Sequence, residues 1–78
     1  MPAPARFRWT DHALAKAQVL GISHTDVETA VLEGHGQRRR NAGEAEWRVK
    51  SGGLVVLYDH PDGDDPATAR IVTIWRRR

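Results

Sequence analysis

Glu44-Ala45-Glu46-Trp47-Arg48-Val49-Lys50-Ser51-Gly52-Gly53-Leu54-Val55-Val56-Leu57-Tyr58-Asp59 decides how the second half of this chain folds. Residues 44–50 alternate, with Ala45, Trp47 and Val49 on one face and Glu46, Arg48 and Lys50 on the other. That period of two belongs to a half-buried strand. Ser51-Gly52-Gly53 reads as a hairpin turn. Leu54 to Asp59 is apolar on both faces, as a central strand requires.

The sequence downstream of this hairpin extends it. His60-Pro61-Asp62-Gly63-Asp64-Asp65-Pro66 is rich in turn formers, and Ala69 to Trp75 reads as a final strand, apolar enough to be central or covered. Upstream, Asn41-Ala42-Gly43 is a turn. Gln37 to Asn41 is an optional extra strand carrying three consecutive arginines.

The first half has helical punctuation. Thr10 is an N-cap with Asp11 in the first turn, and a helix is expected from Asp11 to Leu20, closed by Gly21. Ala13, Leu14, Ala17 and Leu20 share one side, with His12, Lys16 and Val19 on the opposite flank. Ser23-His24-Thr25-Asp26 opens a second helix as a variant capping box. Val27, Ala30 and Val31 form its stripe, and Gly34 and Gly36 stop it. Before these helices, Phe7 and Trp9 alternate with Arg6 and Arg8 in a brief extended stretch, and residues 1–6 read as a loose Pro/Ala-rich arm.

The expected architecture is α+β, with two N-terminal helices packed on one face of a three- to four-stranded antiparallel sheet. The other face is left for solvent or a ligand. Seventy-eight residues without an internal repeat or linker make one domain, residues 1–78. A chain of this length buries only roughly 60–65% of the surface it exposes when unfolded, so its core is small. There is no cysteine, hence no disulfide or thiolate site. The start lacks the apolar run of a signal peptide, and no stretch approaches the ~20 apolar residues that span a bilayer. A cytoplasmic protein without membrane contact is the expectation.

The formal charge of +2 is unevenly distributed. Residues 34–58 hold Arg38, Arg39, Arg40, Arg48 and Lys50 against Glu44 and Glu46, and the chain closes on Arg76, Arg77 and Arg78. Asp59, Asp62, Asp64 and Asp65 crowd one loop. A basic patch beside an acidic loop suits an anionic partner such as nucleic acid, and is also what a solvated, arginine-rich surface looks like.

No metal or cofactor is expected. His12, His24, His35 and His60 have no zinc-site spacing. The Asp-rich loop lacks the downstream Glu of a calcium hand and contains prolines, and no glycine loop follows a strand to cradle phosphate. Metal-free RNA cleavage needs a group to take the ribose 2′-hydroxyl proton, a donor for the leaving 5′-oxygen, and cations on the phosphate. The candidates are His12 with Lys16 one turn later, Arg48 and Lys50 on one strand face, and Thr73 with Arg76 on the last strand. His12 is the first choice for proton transfer, against a histidine that merely packs. Arg48 is a phosphate clamp or a cross-strand surface partner. Arg38, Arg39 and Arg40 suit phosphate or protein contacts. Trp75 either stacks a base or, alternating with Ile71 and Thr73, joins the core. Trp47 reads as core, and Tyr58 fits either face.

Asp11-His12-Ala13 at the first helix, Gly21-Ile22-Ser23 with Val27 at the second, and the tail Arg70-Ile71-Val72-Thr73-Ile74-Trp75 together resemble the DUF4258 family. Glu46 to Val49 and Leu54 to Tyr58 fall where that family has its middle strands, so the resemblance covers Thr10 to Arg76. The acidic insertion between Asp59 and Pro66 departs from the family pattern. The resemblance implies a fold related to RelE-type and BrnT-type toxins, within a wider group of metal-independent ribonucleases that includes barnase-like domains. It implies RNA as substrate and a neutralising antitoxin protein as partner. The family's "HA" histidine maps to His12, its middle-strand arginine to Arg48 and its closing threonine to Thr73. The expected function is a metal-independent endoribonuclease toxin with His12, Arg48, Thr73 and Arg76 as catalytic residues. Lys16, Arg38, Arg39, Arg40, Lys50 and Trp75 are its expected RNA contacts. The alternatives are a non-catalytic RNA- or protein-binding module, and a homodimer formed through the open sheet face.

Overall fold

Thr10 and Ser23 start the helices as their side chains dictate. In a computed structural model that describes residues 3–77, both are extended, and each accepts a hydrogen bond from the backbone N–H three residues on. Helix α1 then runs Asp11–Leu20 and α2 His24–Gly34. Gly21 ends α1 by donating its N–H to the carbonyls of Ala17 and Gln18. Ala13, Ala17, Val27, Ala30 and Val31 are buried as their spacing predicts. Leu14 departs from that reading and is 39% exposed.

Helix α2 ends at Gly34, with residues 35–37 continuing as a single tighter turn. Gly34 is there for closeness, not for a left-handed cap. Its φ is an ordinary −94°, but a Cβ at this position would sit 3.0 Å from the Cβ of Val49. The helix therefore rests directly on the sheet.

That sheet has five strands in the order β1-β5-β4-β3-β2, with β1 Arg6–Trp9, β2 Arg39–Arg40, β3 Trp47–Ser51, β4 Leu54–Asp59 and β5 Thr68–Arg76. It is mixed, which corrects the expected three- to four-stranded antiparallel sheet. The brief stretch at Arg6–Trp9 is a full edge strand, parallel to β5 from Arg6 opposite Thr68 to Trp9 opposite Ile71. Without it, the first half of β5 would lack partners for its outward backbone groups. The expected loose arm is also shorter than read. Pro4 is buried, and the N–H groups of Ala5 and Arg6 donate to the Ala67 carbonyl at 2.7 and 3.0 Å. Met1, Pro2 and Arg78 lie outside the described residues.

The hairpin between β3 and β4 forms as read, with Gly52 and Gly53 at φ 58° and 76°. Two successive positive φ values are what a two-residue turn needs to match strand twist. Strand β4 is central, as its two apolar faces require.

Both helices cover one face, α1 over β5 and α2 over β3 and β4. The main core lies between them and Val49, Val56, Tyr58, Ile71 and Ile74. Trp47 packs against its edge, and Trp9 stacks on the His24 ring at 4.2 Å while donating its N–H to Glu28. Tyr58 faces this core and is fully buried; its hydroxyl meets His35 Nδ1 at 2.7 Å. Burial pushes the phenol up to about 12, against the opposing charge of Arg38.

A second, smaller cluster of Ala45, Leu57 and Val72 lies apart from that core. Ala45 was expected beside Trp47 and Val49. Regular strand structure begins only at Trp47, so the alternation does not extend back to it.

Candidate nucleic-acid interface

The open face of the sheet is set by one irregularity. Leu57 pairs with Thr73 and Tyr58 with Ile71, so Val72 is an extra residue on β5 with no partner. Strict alternation from Ile71 would turn Thr73 and Trp75 inward. The bulge resets the phase. Ile71 and Ile74 both enter the core, Thr73 lies opposite Leu57, and Trp75 lies opposite Val55 and is 38% exposed. The core reading of Trp75 is thereby overturned.

Directly opposed residues project to the same face. Cross-strand pairs therefore define two rows on the open side. One row is Arg39, Arg48, Leu57 and Thr73; the next is Lys50, Val55 and Trp75. His12 joins the end of the first row. Strand β1 stops at Trp9, and the Thr10 side chain donates to the Val72 carbonyl, which sets α1 against the unpaired edge of β5. His12 Nε2 then shares a hydrogen bond of 3.1 Å with Thr73 Oγ1.

A groove of about 450 Å³ crosses this face, lined by Arg48, Lys50, Val55, Trp75, Arg76 and Arg77. Its lining combines apolar Val55 and Trp75 with four cationic side chains. A smaller cavity of about 210 Å³, lined by Gly34, Gln37, Arg39, Arg48 and Lys50, adjoins it. Arg48 and Lys50 are common to both. Arg48 Nε is buried without a hydrogen-bond partner among the described residues, an arrangement that favours an incoming acceptor.

The acidic loop leaves this end of the molecule positive. Asp62 takes two hydrogen bonds from Arg8 at 2.7 and 3.1 Å, Asp65 pairs with Arg6, and Asp59 pairs with Arg70. The Arg8 guanidinium holds the Asp62 carboxyl below its ordinary range, and hydrogen bonds from Thr68 and Ala67 do the same for Asp65. The loop carboxylates thus engage β1 and the start of β5. Among the described residues, Arg39, Arg48, Lys50 and Arg77 have no ion-pair partner.

Arg76 lines the groove and also donates to the Leu20 carbonyl at 2.9 Å, placing a cation on the C-terminal end of α1. The other expected site residues are placed differently. Arg38 and Arg40 lie over the Trp47 ring at 4.2 and 4.7 Å, and Arg38 also donates to the His35 carbonyl. Of the three consecutive arginines, Arg39 alone lines a cavity of the open face. Lys16 is half-buried on α1 and lines neither cavity. Sequence reading missed Gln37 and Arg77 as cavity residues. The unpaired cations of the tail could have pointed to Arg77, but no local pattern marks Gln37.

Among the described residues no group of three or more His, Asp or Glu is placed to hold a metal ion, and no helix is long and apolar enough to cross a membrane. No family model, curated protein or solved structure matches this chain.

Proposed function

We propose that this chain is a metal-independent endoribonuclease of the toxin type, acting on RNA across the open sheet face. The observation that carries the reading is the row His12, Thr73, Leu57 and Arg48. It brings the His12 imidazole and Arg48 into one row, with the Arg48 and Thr73 backbones two strand spacings, about 10 Å, apart, which supports reading them as proton-transfer group and phosphate clamp.

In the tautomer that donates Nε2–H to Thr73 Oγ1, His12 keeps a lone pair on Nδ1. That nitrogen takes the proton of a ribose 2′-hydroxyl. The freed oxygen attacks the adjacent phosphorus, the bond from phosphorus to the 5′-oxygen breaks, and a 2′,3′-cyclic phosphate forms. Arg48 and Lys50 bear the charge that builds on the phosphate oxygens. The proton reaches the leaving 5′-oxygen from water. Thr73 is a positioning residue, holding the imidazole at the end of the row.

A toxin of this kind needs a neutralising protein partner. An acidic antitoxin segment fits the same unpaired cations. Induced expression tests the proposal in cells: the wild type arrests growth and fragments total RNA, and His12→Ala does neither. Normal growth with intact RNA for both would oppose it.

A second reading is a non-catalytic RNA-binding module. It is favoured by the make-up of the two cavities, whose lining combines cations with Val55, Trp75 and Gln37 and includes neither His12 nor Thr73. Binding without cleavage by the wild type would select it.

A further inference from the structure

We infer that the cavity at the free edge of β3 is a second nucleotide subsite, so that the open face binds two consecutive unpaired nucleotides on either side of the Arg48–Lys50 ridge. This rests on the proposed RNA-binding face and adds to it a path for the strand. Strand β2 pairs only with Trp47 and Arg48, so the outer edge of β3 is uncovered from Val49 onward. The notch left there is the cavity of about 210 Å³ between Gln37, Arg39, Arg48 and Lys50.

The two cavities differ in chemistry. The larger has Trp75 as an exposed aromatic wall over Val55, a surface on which any base stacks. The smaller has no aromatic lining; it offers the Gln37 amide and the Arg39 guanidinium, which suit the polar edge of a base or a phosphate. Between them, Arg48 and Lys50 face both cavities, where the linking phosphate would cross. A paired base cannot stack on Trp75, because its faces are already covered by its neighbours. The path therefore selects single strands.

The test measures binding without chemistry. The probe is an eight-nucleotide 2′-O-methyl strand, which lacks the nucleophilic hydroxyl, compared with the same strand in a full duplex. The single strand binds more tightly than the duplex. Trp75→Leu weakens single-strand binding roughly 5- to 150-fold without changing the salt slope, and Trp75→Phe restores most of it. Lys50→Ala and Arg39→Ala each reduce the slope of log K against log salt by about 0.7, the share of one phosphate on a single strand. All variants retain the wild-type melting transition. Equal binding of duplex and single strand, or an unaffected Trp75→Leu, overturns the stacking subsite. An unchanged salt slope in Arg39→Ala overturns the notch. If the probe binds as described but unmodified RNA is not cut, the ribonuclease reading fails while the two-subsite path stands.

Discussion

His12 Nε2 and Thr73 Oγ1 meet at 3.1 Å across the stretch of β5 that β1 leaves uncovered, and a register shift makes that meeting possible. Val72, the extra residue, turns Thr73 and Trp75 out of the core phase set by Ile71. The bulge therefore determines which side chains form the open face.

The first prediction concerns this pair. Thr73→Val removes the hydroxyl but keeps the shape, so it slows RNA cleavage by freeing the imidazole. Thr73→Ser retains the rate. His12→Ala removes the proton-transfer group itself and lowers the rate by about 10²–10⁴-fold. His12 is exposed, so its removal leaves the melting temperature nearly unchanged. Cleavage rates of a short RNA by the three variants, beside their thermal melts, check this. A Thr73→Val protein as fast as wild type would deny Thr73 its positioning task.

A packing prediction follows from Gly34. Its missing Cβ would lie 3.0 Å from Val49 Cβ, on a helix that touches the sheet directly. Gly34→Ala crowds Val49 at the contact of α2 with β3 and is expected to destabilise by about 1–3 kcal/mol. Gly36→Ala meets nothing within 4 Å and serves as the control. Denaturant melts of both variants measure the difference, and equal stabilities would mean the helix yields without strain.

The chain has one tyrosine, so its titration can be read directly. Burial raises the Tyr58 phenol from 10.0 to about 12 in the folded protein. The unfolded chain loses this proton first, so the unfolded state binds fewer protons across that interval. Stability is thus fully present below the ordinary value and declines as pH rises from about 10 to about 12. Phenolate absorbance followed against pH should show the late midpoint. A midpoint at the ordinary value would mean that the ring is accessible.

The acidic loop gives the opposite sign. The carboxyls of Asp62 and Asp65 are held below their ordinary 3.8 by Arg8 and by Thr68 and Ala67. Their contribution is present above 3.8 and is lost as pH falls through the lower folded values. Asp62→Asn should reduce the acid sensitivity of the fold while leaving RNA binding at the open face unchanged. Melts at neutral and acid pH, with binding measured at neutral pH, test both halves. Weakened RNA binding would mean that the loop and the open face are not separate.

Much of the fold was legible because it is local. Thr10, Ser23, Gly21 and the Gly52-Gly53 turn act within a few residues, and the two helices, the hairpin and the central place of β4 all match their reading. The parallel β1 was not legible as part of the sheet. Arg6 to Trp9 is four residues long, and its partners begin at Thr68. The bulge at Val72 was hidden because alternation alone cannot reveal an inserted residue. The candidate site was legible in its residue types but only partly in its assembly. His12, Thr73 and Arg48 fall on one row. Arg76 is held by Leu20, and Arg38 and Arg40 are held by Trp47, through contacts that no spacing along the chain encodes.

The most direct test is to incubate the purified protein with a single-stranded RNA in the presence of a chelator and identify the new ends. Wild type should leave 2′,3′-cyclic phosphate and 5′-hydroxyl ends, and His12→Ala should leave the RNA intact. An intact RNA with wild type, or equal cutting by folded His12→Ala, would contradict the assignment of a His12-dependent ribonuclease.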